Sequence, residues 1–533
     1  MAVGSRPRED SLGTIADALF EHVRRVLPPD ADCEITLDSS LHEVGLDSIT
    51  RMDVLNSLEE AFGMRFSEES LYDMQTCRDV VEYVEANAAG RGLQRPPVDA
   101  SAVPTVRALA DPAAVQGLPH PQGDVTQFPE CVAFRERLAG SVAAGLENPF
   151  FRCKDRVDKA TATIAGREVV SYTSFDYLGM ASHPRVIAAA KEALDRFGAS
   201  ASASRLVGGN HAIVQQLDEE IARFLGTEAA IVFPSGYGTN ASVFGHLFGA
   251  EDLILYDELA HNSIVQGALL SKAQRRPFPH NDFRFLDRLL GDIRGKYRRV
   301  VVAIEGVYSM DGDYPDLPRF IEVKRRHRAL LYVDEAHSIG VMGPTGRGLC
   351  EHFRVDPGDG DLWMGTISKA LGSGGGYLAG REILIQYLKY TTPAFVFATA
   401  ISPANAAAAL EAIRLVQEEP DRAARLRERS QLFLKLAADA GLDTGNSRDT
   451  PVIPIILGDS RRCIQVVAKL LREGIDAQPI LYPAVPESKS RIRFFVTAEH
   501  TEEQICRTVQ ALTDCIAASE SPLPGGIADK DFH

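Results

Sequence analysis

Residues 329–338 read ALLYVDEAHS, and residues 300–307 read VVVAIEGV. Both are short continuous apolar runs with an acid near the end. Runs of this length, with no polar alternation, fit strands buried on both faces of a parallel sheet. Helical stretches lie between such runs, so an α/β architecture is expected from about residue 126 onward. Further along, VIPIILG (452–458) and RIRFFVTA (491–498) read as strands. Thr501 and Gln504 stand at capping-box spacing and open a last helix of about 15 residues, ending near Ala518.

Upstream the pattern is different. Leu12, Ile15, Ala16, Leu19, Phe20 and Val23 fall at helical spacing within residues 11–27. Asp47 and Ser48 precede a second helix carrying Ile49, Met52, Leu55, Leu58 and Phe62. Val80, Val81 and Val84 mark another near residues 76–88. This is a small helical bundle. The stretch GRGLQRPPVDASAVPTVRALADP lacks periodicity and is rich in Pro, Ala and Gly, as linkers are. The expected domains are a bundle at 1–90, a linker at 91–125, a large domain with an N-terminal arm at 126–400, a small domain at 401–518 and a disordered tail at 519–533.

Composition sets limits. The 533 residues are 45% hydrophobic and 24% charged, as in ordinary globular proteins. No run approaches the roughly 18 apolar residues of a membrane span, and the N-terminus lacks the apolar core of a secretory signal. A cytoplasmic location is the expectation. The eight cysteines are scattered without C-x-x-C spacing, so neither a metal site nor a disulfide framework is expected. Residues 1–90 hold 7 Arg, no Lys and 19 Asp or Glu, which puts −12 of the chain's net −16 there. Such a surface repels phosphate backbones and argues against a nucleic-acid partner.

Two places carry chemistry. In LHEVGLDSIT (41–50), Ser48 sits at a helix start. Alone this is an N-cap. With the acidic helical unit around it, the segment of about residues 10–88 resembles an acyl carrier protein, and the resemblance implies 4'-phosphopantetheine on Ser48. A helix N-terminus tolerates the phosphodiester charge.

The second place is GTISKALGSGGGYLAG (365–380), where Lys369 precedes a glycine-rich stretch. Asp334 ends the strand in ALLYVDEAHS, with His337 three residues on. Ligand sites in parallel sheets lie at the carboxyl ends of strands. A buried carboxylate there needs a cationic partner, and a protonated pyridine nitrogen would supply one. FPSGYGTN (233–240) offers Gly236 and Tyr237 in a turn whose N–H groups suit a phosphate. DELAHNSI (257–264) offers His261 for stacking on a ring, and EGVYSMDGD (305–313) offers Glu305 and Ser309. The GSGGG run (372–376) follows the lysine and reads as a backbone crossing packed against the sheet.

These stretches, in this order, resemble the α-oxoamine synthase family of fold-type I pyridoxal 5'-phosphate (PLP) enzymes, from about residue 148 to 518. The resemblance implies that Lys369 forms the Schiff base with PLP, Asp334 pairs with the pyridine nitrogen, His337 with the ring hydroxyl, and His261 stacks on the ring. Gly236, Tyr237, Thr366 and Ser368 would cradle the phosphate, and Thr399 would reach the phosphate of a neighbouring subunit. Arg493 would grip the amino-acid carboxylate, which a guanidinium fork suits. The chain departs from the family pattern at Phe175 in SFDYLG (174–179), where an Asn is usual, at ASASASR (199–205), where glycines are usual, and at Val214, where part of the family has a histidine. Ser204, before Arg205, is compatible with alanine or serine as substrate.

The implied reaction is a decarboxylative Claisen condensation of an amino acid with an acyl thioester, giving an α-aminoketone, with His261 or His337 hydrogen-bonding the developing oxyanion. The fusion suggests that the acyl donor rides on Ser48's arm rather than on free coenzyme A. The expected partners are a phosphopantetheinyl transferase, upstream acyl-loading or polyketide synthase enzymes, and a second copy of the chain. Two other readings stand beside this one: an aminotransferase acting on a carrier-bound carbonyl, and a carrier-like domain used only for docking.

Overall fold

The computed structural model describes residues 9–26, 35–41, 44, 54–55, 58, 62, 74, 76–88, 125–143, 146–482 and 484–519. Ser48, most of the linker and the tail beyond Ser519 lie outside the described residues. The chain divides into two units, Met1–Asn148 and Pro149–Glu520.

In the first unit, helix Glu9–Val26 buries Ile15, Leu19 and Val23, one stripe at a spacing of four. The stripe belongs to one core with Leu41, Val54, Leu55, Leu58 and the valines 80, 81 and 84 of helix Cys77–Ala88. That second helix starts on a reciprocal cap. The Asp79 N–H donates to Thr76 Oγ1 at 3.2 Å, and the Thr76 N–H donates to Asp79 Oδ2 at 2.7 Å.

The second unit contains strands β1 Arg156–Asp158, β2 Thr161–Ile164, β3 Arg167–Ser171, β4 Ala229–Phe233, β5 Asp252–Asp257, β6 Gln274–Phe278, β7 Arg299–Glu305, β8 Leu330–Asp334, β9 Leu362–Thr366, β10 Gly376–Gly380, β11 Val452–Ile456, β12 Ile475–Asp476, β13 Gln478–Ile480 and β14 Arg491–Phe495. The central sheet has seven strands in the order β4-β10-β9-β8-β7-β5-β6. Its side chains alternate between two cores. Val300, Val302 and Ile304 enter one, and Val301 and Ala303 the other. Both faces are covered, which is why these strands read as unbroken apolar runs.

One strand departs from the purely parallel expectation. β10 runs antiparallel to both β4 and β9. Only residues 367–375 join β9 to β10, too few for a helical crossover, so the chain turns straight back. The glycine run makes this turn possible. Gly372 has φ +59°, and a Cβ there would lie 2.3 Å from the Ala181 amide nitrogen. The run meets the sheet at Gly375, where a Cβ would lie 2.9 Å from the Phe233 carbonyl of β4, and meets the Met180–Ala181 backbone at Gly372.

A separate core gathers Tyr172, Phe433, Ile453, Ile455, Val466, Ile492, Phe494 and Leu512 between the sheet β11-β14-β13 and three helices, Asp421–Asp439, Ser460–Arg472 and Glu502–Ala517. The last helix begins with the capping box of Thr501 and Gln504. Because Ile492 and Phe494 enter this core, the period of two turns Arg491, Arg493 and Phe495 to the other face of β14. Among the described residues, no helix is long and apolar enough to cross a membrane.

Candidate active site

The strands β7, β8 and β9 end side by side, and their ends carry Glu305, Asp334 and Thr366. Glu305 and Asp334 are register partners, both buried to 3% exposure. Two adjacent buried carboxylates do not both ionise freely. Burial first, and then the Asp334 charge, push the Glu305 pKa well above the usual carboxylate range. Glu305 Oε1 accepts the backbone N–H of His261.

Lys369 follows β9. Burial pushes its pKa down to about 8, against the pull of Asp334 and Glu305. Its Nζ lies 5.8 Å from the Phe175 ring centroid. Phe175 is therefore a wall of this site, in edge contact with His337 at 5.9 Å and with Phe495 at 4.7 Å. His337 is buried, its Nδ1 lies 2.7 Å from Tyr177 Oη, and burial with the charges of Lys369 and Arg493 holds it neutral.

Beyond β4, Ser235 caps helix Gly236–Leu247, its hydroxyl accepting the Gly238 N–H at 3.2 Å. A Cβ on Gly236 would stand 3.0 Å from Thr366 Oγ1, and Thr366 Oγ1 is 2.6 Å from Ser368 Oγ. A helix N-terminus and two hydroxyls thus meet at one small cup, suited to a phosphate. Tyr237 enters this cup through its backbone only. Its hydroxyl donates to Asn262 Oδ1 at 3.3 Å, and its ring meets His261 edge-on at 6.4 Å.

Arg493 and Arg491 are both withdrawn from solvent. Arg491 pairs with Asp311 at 2.7 Å. Arg493 donates to the Ser309 carbonyl at 2.9 Å, lies 4.5 Å over the Phe495 ring, and keeps a buried Nε without a partner. An unsatisfied guanidinium donor suits a carboxylate. Ser309, read from the sequence as a cofactor contact, is placed by its carbonyl against Arg493. Ser204 sits in a tight turn whose carbonyl accepts the N–H groups of residues 207–209. Thr399 is exposed, next to Ala400, whose N–H donates to the Ala203 carbonyl at 3.0 Å. Val214 is a fully buried core residue, and His211 stacks on Phe197 at 5.3 Å.

Sequence reading missed Tyr177, Asn240, Ser263, Tyr332 and Phe495. Asn240 had a local signal. It lies four residues after Gly236, on the same helix face.

A second cluster braces the site. His280 sits between two acids, its Nδ1 2.9 Å from Asp257 and its Nε2 2.9 Å from Asp313. Burial works against its charge, but the two carboxylates prevail and raise its pKa to about 10. Asp257 also accepts the Leu259 N–H, and the Asp313 carbonyl accepts the Tyr308 N–H. His280 thereby ties the loop leading to His261 to the loop carrying Ser309. Since the folded pKa lies above the unfolded value near 6.5, this stabilisation is complete below that value. It is lost as pH rises through about 10. Between pH 7 and 9 urea unfolding should lose up to about 1.4 kcal/mol per pH unit from this residue. His280→Gln should flatten that slope; equal slopes in both proteins would contradict the tie.

Comparison with known proteins gives a consistent picture. Residues 167–512 match the family model for aminotransferase class I and II, and residues 17–84 match the phosphopantetheine attachment site model. The 8-amino-7-oxononanoate synthase of Symbiobacterium thermophilum is 41% identical over 70% of this chain and 95% of its own length. That of Geobacter sulfurreducens is 42% identical over 65% and 88%. Among solved structures, Sphingomonas wittichii serine palmitoyltransferase superposes with a TM-score of 0.70 at 31% identity, covering 74% of this chain and 99% of its own.

Proposed function

Because the chain belongs to the aminotransferase class I and II family, and within that family to the α-oxoamine synthases, we propose that it condenses an α-amino acid with an acyl thioester borne on its own phosphopantetheine arm. The observation that carries this reading is the convergence of Lys369, Asp334, His337 and Arg493 beside a phosphate cup.

The residues present fit PLP. Asp334 suits a protonated ring nitrogen, and the cup of Gly236, Thr366 and Ser368 suits the phosphate, with only tight space for a Cβ at Gly236, 3.0 Å from Thr366 Oγ1. Asp334, His337, His261 and Lys369 would hold the ring. PLP, when bound, supplies an electron sink for charge that develops at the amino-acid α-carbon.

The protein's own groups do the rest. Arg493 binds the amino-acid carboxylate through its free Nε and orients the α-carbon. Lys369 Nζ takes the α-proton; its low pKa leaves a usable fraction neutral near neutral pH. Phe175, Phe495 and Tyr177 line the site with rings and exclude water. In balance, the α-carbon gains a bond to the acyl carbon, the C–S bond breaks to leave a thiol, and the bond to the carboxyl group breaks to release CO2. The proton that Lys369 took returns to the α-carbon, and one proton from solvent completes the thiol.

Ser48 is the proposed attachment point of the arm, and its modification requires a phosphopantetheinyl transferase. An adduct of about 340 Da on the intact chain would establish it, and its absence would favour a docking role. An upstream acyl-loading enzyme or polyketide synthase and a cytoplasmic setting suit a carrier fusion. A homodimer is supported by exposed Thr399 beside Phe397, which is 86% exposed.

Carboxyl-labelled amino acid tests the reaction class. Incubated with holo protein and acyl-carrier thioester, it should yield one labelled CO2 per thiol freed. Transfer of the amino group with retention of the label would replace this reading with an aminotransferase.

A further inference from the structure

Asp334 and His261 are not held independently. Asn240, 1% exposed on helix Gly236–Leu247, donates from Nδ2 to Asp334 Oδ2 at 2.7 Å and to Ser263 Oγ at 2.8 Å. Its Oδ1 receives the Tyr332 hydroxyl at 2.6 Å. The amide has one possible sense. An ionised carboxylate only accepts, so the Nδ2 side must face Asp334, and the carbonyl oxygen is left for the phenol.

That sense propagates. With its oxygen occupied by the Asn240 donor, Ser263 turns its O–H to His261 Nδ1, 2.7 Å away. The Ser263 backbone N–H points at the same nitrogen at 3.3 Å. Two donors on Nδ1 make it the acceptor, so the ring proton resides on Nε2.

We propose that Asn240 is a positioning residue that joins Asp334 and His261 into one unit. It fixes the carboxylate for the cofactor's ring nitrogen and, through Ser263, fixes His261 as a neutral imidazole whose only donor is Nε2–H. A neutral ring stacks on a protonated pyridine without charge repulsion, and its Nε2–H remains available to an oxygen of the acyl group. The inference rests on the PLP reading of the site.

The test uses full-length protein labelled with 15N in the histidine rings, with His261 assigned by comparison with His261→Gln. Two readouts are taken: the Kd for PLP of the apo protein and the His261 ring-nitrogen shifts of the holo protein. Wild type should show an acceptor Nδ1 and a protonated Nε2. Asn240→Ala should weaken PLP about tenfold and let the two tautomers mix. Ser263→Ala, which leaves Asp334's partner in place, should mix the tautomers while keeping the Kd within about twofold of wild type. The tenfold change corresponds to about 1.4 kcal/mol, the scale of one lost hydrogen bond to a charged group. A proton on Nδ1 in wild type would overturn the proposal. So would wild-type values of both readouts in Asn240→Ala or, should that variant not fold, an unchanged tautomer in Ser263→Ala. Failure of wild type to bind PLP at all would instead remove the underlying reading of the site.

Discussion

Lys369→Ala should lower CO2 release by about 10³-fold, within the usual range for loss of a positioned proton-transfer group. PLP should still bind, because the phosphate cup and Asp334 are untouched, and phosphorus analysis after gel filtration reads that directly. The lysine is suited to its role by its surroundings. It is half-buried, with its amine withdrawn from solvent, and two acids, Asp334 and Glu305, stand at the adjacent strand ends. Burial outweighs their attraction, and the amine's pKa falls to about 8. An exposed lysine would stay protonated and idle. Small primary amines added to Lys369→Ala should restore part of the rate, since the missing function is a base at one place. Activity within tenfold of wild type would mean that another group takes the α-proton.

Much of this arrangement was legible in the sequence because it is local. Asp334 and His337 lie in one run, and the run's unbroken apolarity marks a strand buried on both faces. Thr366, Ser368 and Lys369 lie in another. Glu305 ends a strand of the same kind, and strand ends are where parallel sheets bind ligands. Other features were not legible because they depend on pairing between distant stretches. Asn240 meets Asp334 across 94 residues of sequence. Phe495 reaches Phe175 only once β14 packs beside the central core. The reversal of β10 was hidden as well, since a period of two carries no strand direction. Arg493 was legible only through the family resemblance, since alternation alone does not separate it from Arg491 on the same face of β14. Their partners do: Asp311 occupies Arg491, whereas Arg493 keeps a free donor.

Ser48→Ala should remove the advantage of self-delivery. Composition reads residues 91–125 as a linker, and a Gly-rich coil of about 35 residues would span roughly 30–35 Å in root-mean-square terms. Tethering at that reach gives an effective donor concentration in the millimolar range. At about 10 μM of free acyl thioester, the variant should therefore run about 100-fold slower than acyl-loaded wild type. Wild type never exposed to a phosphopantetheinyl transferase should behave like the variant, which separates loss of the arm from loss of the serine itself. The acidic surface of residues 1–90, net −12, does not enter this comparison because both proteins share it. Equal rates in all three samples would point to a free thioester as the donor.

The most direct measurement is a single turnover on the loaded chain. The arm on Ser48 is charged with a radiolabelled acyl group, excess donor is removed, and carboxyl-labelled amino acid is added. The expected result is loss of the acyl label from the protein matched one to one by CO2 from the amino-acid carboxyl, with both labels absent from the protein afterwards and the whole acyl label in an aminoketone. Acyl label that stays on the chain while CO2 remains unreleased, under conditions where free acyl-coenzyme A is turned over, would contradict delivery by the protein's own carrier.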